Sequence, residues 1–362
     1  MTTETFKGGA WRRVAGAGAG LLLILWTVVA GLPAPAEASA PRLDPALHAR
    51  ALERAARLPR LKGLLLSVDG ELVVERYFNG SGPNQWANLK SASKSVLSIL
   101  MGIALDRGQM KGVDDTVDRF FPEYFGKGTD PAKKRITLED LLTMRSGLES
   151  TSRRNYGRWV QSGNWVRHVL ERPMVDKPGG RMIYSTGNSH VLSAALTRAA
   201  GMSTYEFARR FLAEPLGIAI RPWLRDPQGI YFGGNEMHLL PRAMLKIGEL
   251  YRLGGRAGNK QVVSASWVRD SLTPRTWSRF SGRQYGYGWW IDTLGGHEAQ
   301  FAFGHGGQFI FVVPDLRLTA VVTSAATPVQ VRDERRHHQE GIFDLLEQDI
   351  IPALLNGRIS RR

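Results

Sequence analysis

The chain has 362 residues, of which 43% are hydrophobic, so it is long enough to bury one large core or two intimately joined ones. It carries 48 Lys and Arg against 33 Asp and Glu, a formal charge of +15, and no cysteine, which excludes disulfides, thiolate chemistry and cysteine-bound zinc but not export. The basic residues are scattered, with isolated clusters such as Lys133-Lys134-Arg135 and no aromatic–basic alternation, so no nucleic-acid partner is expected.

The first residues have the layout of an export signal. Lys7, Arg12 and Arg13 form a positive head, residues 14–32 are apolar, and a tail of small residues and proline follows. Ala36-Glu37-Ala38 is the expected cleavage tripeptide, which makes residues 1–38 a signal peptide and 39–362 the mature body. The Arg12-Arg13 pair hints at twin-arginine export. The alternative is an uncleaved anchor, because the 19 apolar residues at 1.5 Å each nearly span about 30 Å of hydrocarbon. Either reading places the body outside the cytoplasm, periplasmic or extracellular. The positive charge adds an expectation of membrane or cell-wall association.

In the body, the period of residues 43–58 predicts a helix ended by Pro59. Two apolar runs, 63–68 and 71–78, flank Asp69-Gly70 and predict an antiparallel hairpin. Residues 89–105 read as a buried helix. From about 106 to 280 the chain is mostly helical and loop-rich and reads as an inserted subdomain. Its helices are expected over 138–144, 189–200 before Gly201, 203–212, 239–253 and 265–272, with Ser203 and Glu206 forming a capping box. Short strands follow at 287–293, 299–303, 309–314 and 318–324, with a turn at Pro314-Asp315, and an amphipathic helix over 334–355 closes the chain. This order implies an α+β fold, an antiparallel sheet built from both chain ends and flanked by helices. No nucleotide-binding glycine motif is present, so no cofactor is expected.

Three patches carry chemistry. The first is LKSASKSVLSILMGIAL, residues 89–105, which is apolar except at its start. Its serines can be read as helix caps and its lysine as a snorkelling side chain. They can equally be read as a Ser-x-x-Lys nucleophile, Ser91 with Lys94 one helical turn away. For Lys94 to act as a base, its pKa must fall from near 10.4 to about 7, a differential stabilisation of roughly 4 to 5 kcal/mol. Burial and the helix N-terminus both push in that direction. The second patch is MIYSTGNSH, residues 182–190, where Tyr184 is placed to shuttle a proton once Lys94 perturbs it, and Thr186 or Asn188 to orient Lys94. The third is FGHGGQFIFVVP, residues 303–314, where His305 precedes Gly306 and Gly307 and backbone N–H groups are free to face a developing oxyanion. Alone, this third patch also reads as a glycine turn entering a strand.

In this order the patches resemble the serine beta-lactamase-like and penicillin-recognising family, nearest its class C-like esterases and the 6-aminohexanoate-dimer hydrolase branch. Ser91-Ala92-Ser93-Lys94 matches the first family motif, Tyr184-Ser185-Thr186 stands in place of Tyr-x-Asn, and His305-Gly306-Gly307 in place of Lys-[Ser/Thr]-Gly. GVDDTVDRFFPEYF, ITLEDLLTMRSGLES and YGYGWW resemble connecting segments, and the similarity runs from about residue 61 to 324. The resemblance implies an acylated Ser91, Lys94 as its base and Tyr184 as relay to the leaving group. It also implies an oxyanion hole from the Ser91 and Gln308 backbone N–H groups, and a substrate pocket that includes Thr186, Asn188, His305, Gly306 and Gly307. No metal and no cofactor are implied. His305 replaces a lysine that pairs with substrate carboxylates, and free histidine is mostly neutral at pH 7. A small ester or linear amide is therefore the expected substrate, ahead of a beta-lactam or a D-Ala-D-Ala peptide. A catalytically silent cell-wall-binding relative is the rival reading, and the intact Ser91, Lys94 and Tyr184 argue against it.

Other residues are given structural readings. Glu334 and His338 are four apart on the last helix, but no third ligand stands near, so His337, His338 and Glu340 read as a solvated face rather than a metal site. Trp289 and Trp290 should point to opposite faces of a strand, one to the core and one to the pocket. His190 reads as structural. Tyr156, Trp159 and Trp165 are expected to roof the cleft.

Overall fold

Asp69 and Gly70 both take the left-handed backbone, with φ of 56° and 87°, as a two-residue hairpin matched to strand twist requires. They join β1 (Leu61–Val68) to β2 (Glu71–Tyr77) in the computed structural model, which describes residues 43–327 and 332–359. The leader expected over 1–38 lies outside the described residues. β1 is buried on both faces, Leu65 on one and Leu64, Leu66 and Val68 on the other.

The other strands of the sheet come from the C-terminal part: β3 (Thr276–Trp277), β4 (Gln284–Tyr285), β5 (Trp290–Leu294), β6 (His297–Gly304), β7 (Gln308–Val313) and β8 (Leu318–Ser324). They complete one eight-stranded sheet in the order β2-β1-β8-β7-β6-β5-β4-β3. Antiparallel pairing of β1 with β8, from Leu61 opposite Ser324 to Val68 opposite Leu318, joins the N-terminal hairpin to the C-terminal strands, as the second and third strands of the sheet. The short strands β3 and β4 were not expected. The strand expected from residue 287 begins instead at Trp290, because Gly288 is held at φ 78° against α2 (Ser93–Asp106), where an added Cβ would lie 2.8 Å from the Lys94 carbonyl oxygen.

Helices cover both faces. α1 (Pro45–Ala56) starts where Asp44 accepts a hydrogen bond from the Leu47 N–H at 3.0 Å and Pro45 takes the first helical position. It packs with the C-terminal helix on the face that carries Phe301, Phe309 and Phe311, and Asp349 is buried between Arg50 and Arg54. The opposite face carries Ile310, Val312 and Val321 and receives α2, α3 (Thr186–Ala200), α4 (Pro241–Arg252) and α5 (Ala265–Leu272). The described residues belong to one compact unit. Ser203 and Glu206 make the expected capping box, but that helix continues through a π-helical turn to Leu216, past the expected end at 212. The last helix runs as α6 (Arg332–Asp344), a π-helical stretch (Leu345–Ile350) and α7 (Ile351–Ile359). No helix among the described residues is long and apolar enough to cross a membrane.

α2 is buried along nearly its whole length, Ser93 to Ala104. Gly102 sits in its middle because a Cβ there would lie 2.3 Å from the Trp267 ring. Alanine would gain about 1 kcal/mol of helix propensity, but overpacking a closed core costs about 1–3 kcal/mol or more. Gly102→Ala is therefore expected to lower the unfolding free energy, and a denaturant titration showing a higher midpoint would contradict this packing.

Candidate active site

None of the serines that open α2 caps it; the helix begins without a side-chain cap. They make tertiary contacts instead. The Ser93 hydroxyl oxygen accepts a hydrogen bond from the Met237 N–H at 3.3 Å, and Ser95 donates to the Gly288 carbonyl at 2.6 Å. Ser91 lies just ahead of α2 in a 3₁₀ turn (Lys90–Ala92) and remains partly exposed.

Lys94 is 3% exposed. Its Nζ donates to the Ser91 Oγ at 3.1 Å and to the Gly234 carbonyl at 2.7 Å, with the Thr186 Oγ1 at 3.4 Å. Burial pushes its pKa down to about 7. The ammonium reading of a snorkelling side chain fails, because the amine is enclosed.

Tyr184 immediately precedes the N-terminus of α3 and hydrogen-bonds Ser91. Its ring stacks on Trp290 at 6.1 Å, and the Lys94 Nζ lies 5.1 Å from the ring centroid. The expectation that Lys94 sets its titration is corrected: burial dominates and raises the phenol to about 12, against a smaller lowering by the Ser91 hydrogen bond. Near neutral pH the site thus holds a protonated phenol and an amine close to half-protonation. Trp289 is fully buried and stacked on Tyr251 at 4.2 Å, while Trp290 faces Tyr184.

The start of α3 is tied down by hydroxyls from the loop at residues 150–152. The Thr186 N–H donates to the Ser152 Oγ at 2.9 Å and the Gly187 N–H to the Thr151 Oγ1 at 3.0 Å, while the Ser152 and Thr186 hydroxyls lie 3.0 Å apart. Thr186 therefore does reach Lys94, with its own hydroxyl oriented by Ser152. Asn188 does not. It is fully buried, and its Oδ1 accepts from Ser146 at 3.2 Å, so it neither orients Lys94 nor lines a pocket.

The segment Gly233-Gly234 was not singled out from sequence. A Cβ on Gly233 would lie 2.1 Å from the Ser189 carbonyl oxygen, and one on Gly234 would lie 2.9 Å from Thr186. This glycine pair presses onto α3 and so delivers the Gly234 carbonyl to Lys94. The signal was a Gly-Gly pair between apolar and polar runs in YFGGNE, which without tertiary context reads as a turn.

The third patch is placed differently from expectation. His305 is exposed at the tip of the β6–β7 turn, but Gly306 and Gly307 are buried. A Cβ on Gly307 would lie 2.8 Å from the Ser324 Oγ and 2.9 Å from the His338 Nε2, so this glycine serves the back of the sheet. Gln308 is also wholly buried, on a strand with neighbours on both sides, and its amide bonds the Ser324 backbone at 2.7 and 3.2 Å. An N–H with no accessible surface cannot meet a substrate oxygen without movement, which argues against Gln308 as an oxyanion donor. The glycine of this segment that meets the chain leading into Ser91 is Gly304, where a Cβ would lie 2.0 Å from the Leu89 carbonyl oxygen.

Three further readings change or hold. Trp159 and Trp165 do not roof the cleft; they surround the buried His190, whose Nε2 lies 2.9 Å from the Asp226 Oδ2, in keeping with a structural histidine. Tyr156 accepts a hydrogen bond from Asn235 at 3.2 Å. His338 is not on a solvated face. It is buried with Nε2 2.9 Å from the Ser324 Oγ, and among the described residues no carboxylate–imidazole group is placed to hold a metal.

Comparison with known proteins agrees with this fold. The Beta-lactamase family model matches residues 60–342. The chain belongs to the Beta-lactamase family. It is 25% identical over 358 residues to the 6-aminohexanoate-dimer hydrolase of Paenarthrobacter ureafaciens, covering 88% of each chain. Among solved structures it is similar to EstCE1, a hydrolase with promiscuous acyltransferase activity, with a TM-score of 0.67 at 16% identity over 83% of this chain and 99% of that one. It is also similar to a penicillin-binding protein homologue from Caulobacter crescentus, with a TM-score of 0.65, 16% identity and coverage of 83% and 96%. This member of the family is thus a beta-lactamase-fold hydrolase related to 6-aminohexanoate-dimer hydrolase.

Burial, aided by Arg60, lowers the His338 pKa from 6.5 to about 4. Between these values the unfolded chain binds a proton that the folded chain does not, so the contribution of His338 to stability is complete above 6.5 and is lost as pH falls toward 4. Unfolding free energies measured from pH 4 to 7 are expected to rise with pH less steeply in His338→Gln than in the parent; equal slopes would show that the imidazole is not buried.

Proposed function

We propose that this protein is a serine hydrolase that works through an acyl-enzyme on carboxylic esters or small linear amides. The observation that carries the reading is the enclosed Lys94 amine, 3.1 Å from the Ser91 hydroxyl with a pKa near 7. A lysine held at its ordinary value would be over 99.9% protonated at neutral pH by about three pKa units, and could not accept a proton from Ser91.

In the first half-reaction the neutral Lys94 amine takes the Ser91 proton as Oγ bonds to the substrate carbonyl carbon. The Ser91 N–H is the donor the chain offers to the oxyanion at the nucleophile itself. Tyr184, kept protonated by burial, donates to the leaving oxygen or nitrogen as its bond to carbon breaks, and the Lys94 ammonium restores the phenol. Water then adds to the acyl carbon as the neutral Lys94 amine takes one of its protons, and the Ser91 Oγ leaves with a proton returned from the Lys94 ammonium, directly or through the phenol, as the carboxylic acid is released.

Support for an ester or linear amide is twofold. In the sequence resemblance His305, which is exposed, stands in place of the family's carboxylate-pairing lysine, and the relative from Paenarthrobacter ureafaciens is named a 6-aminohexanoate-dimer hydrolase. The basic-headed apolar stretch at 14–32 supports action outside the cytoplasm.

Ser91→Ala is expected to abolish turnover of a chromogenic short-chain ester, and Lys94→Ala and Tyr184→Phe each to lower kcat by about 10³-fold or more while the fold is retained. In the parent, kcat/KM should rise with pH through a limb near 7 as Lys94 loses its proton. Full esterase activity of Lys94→Ala would remove it as the base. Running the ester beside an aminohexanoate oligomer and a cephalosporin separates the substrate classes, and absence of a covalent serine-probe adduct on Ser91 in folded protein would favour a silent binding relative.

A further inference from the structure

Two non-glycine residues flank the candidate site in the left-handed backbone region, Lys90 at φ 49° and Glu236 at φ 64°. Such conformations are disfavoured for L side chains and persist only where the surroundings impose them. Lys90 immediately precedes Ser91. Glu236 follows two residues after Gly234, whose carbonyl holds Lys94. The two strained residues are joined to each other: the Lys90 Nζ donates to the Glu236 Oε1 at 3.0 Å. The second carboxylate oxygen, Oε2, accepts from the Asn88 Nδ2 at 2.6 Å, and the Asn88 Oδ1 accepts the Lys90 N–H at 3.0 Å. One carboxylate thus grips both residues of the turn that leads into the nucleophile. Backbone bonds run alongside, with the Leu89 N–H donating to the Met237 carbonyl at 2.8 Å and Ala87 and Asn88 paired with Leu239 and His238.

We propose that Glu236 is a positioning residue, which through Lys90 and Asn88 holds the segment bearing Ser91 in register with the Gly234 carbonyl that orients Lys94. The inference rests on the serine-hydrolase reading above. The carboxylate and the amine keep 26% and 23% of their surface exposed, so a simple surface ion pair here would add little to stability. Its effect is geometric. Lys94 bonds one group on each of the two segments, Ser91 and Gly234, so any slippage between them lengthens one of those bonds. The position of Lys94 relative to Ser91 is what proton transfer depends on, and a misplacement of about 1 Å costs on the order of 100-fold in rate.

The test uses the full chain and the variants E236A, E236Q, K90M and K90R. Expected in E236A and K90M is a fall in kcat of about 10- to 100-fold with KM changed by less than about threefold. E236Q should fall between them and the parent. K90R, which keeps the ion pair, should stay within about threefold of the parent. A purely structural role would lower the melting temperature without this split and without rescue by arginine. If E236A folds poorly, K90M, which leaves the Asn88 bond in place, carries the test. Crystal structures of the variants give a readout independent of turnover: Lys90 should leave the left-handed region and the Ser91–Lys94 distance should open beyond 3.1 Å. Parent-like kcat in E236A and K90M, or an unchanged Ser91–Lys94 distance in their crystals, would overturn the positioning role. A parent protein that neither turns over nor labels at Ser91 would instead overturn the hydrolase reading, and the crystal distances would still judge Glu236.

Discussion

The arrangement depends on an amine kept out of water. Among the described residues no carboxylate offsets the charge of Lys94; its partners are two hydroxyls and a carbonyl, and desolvation drives its pKa down. A buried ammonium is expensive, and a neutral amine beside a hydroxyl is the cheaper state. The fold therefore keeps Lys94 available as a neutral amine by the same apolar packing that stabilises α2. Val96, Leu97, Ile99 and Leu100 bring the helix into the core, and the lysine follows because it lies in the first turn of a helix buried almost all round.

Enclosing that amine requires four segments far apart in sequence. The turn before α2 brings Ser91, the start of α3 brings Tyr184 and Thr186, the Gly233-Gly234 strip brings a carbonyl, and the bend at Gly288 closes over the Lys94 backbone. Each contact is close enough that a side chain in the wrong place would prevent it. Gly233 and Gly288 are glycines for that reason, whereas Lys90 and Glu236 take left-handed backbone without being glycine and are held there by their own side chains. Strain and close approach concentrate around Ser91, as expected of a site built to hold one geometry.

Within the Beta-lactamase family frame, the second motif has lost its amide. Thr186 offers one hydroxyl where Asn would offer a donor and an acceptor, and the hydroxyls of Ser152 and Thr186 pair with each other. The nearby Asn188 is occupied with Ser146 and cannot substitute. The polar lining beside Lys94 is thus made of hydroxyls and a backbone carbonyl, a neutral surface that does not compete for the proton in the way a carboxylate would.

Much of the architecture was legible from the chain alone, because it is written in local periodicity and turn chemistry. The Asp69-Gly70 hairpin, the capping box at Ser203, the strand over 318–324 and the helix over 265–272 follow from residues close in sequence. So did the Ser91–Lys94 pair, since a spacing of three residues puts both side chains on one helical turn. The misplacements share the opposite property. Asn188 and Thr186 are two residues apart, yet only one faces Lys94; Gln308 and Gly307 look toward solvent in a sequence reading but are covered by Ser324 and His338 from other elements. Gly234 carries no side chain to announce it, and a backbone carbonyl becomes a functional group only when folding aims it. The sequence by itself determined which helix carries a serine and a lysine one turn apart and how the sheet is threaded from both ends. Only the tertiary structure decided that the lysine is dry, which carbonyl it leans on and which glycines face the serine, because desolvation and close approach are properties of what surrounds a group and not of the group's place in the chain.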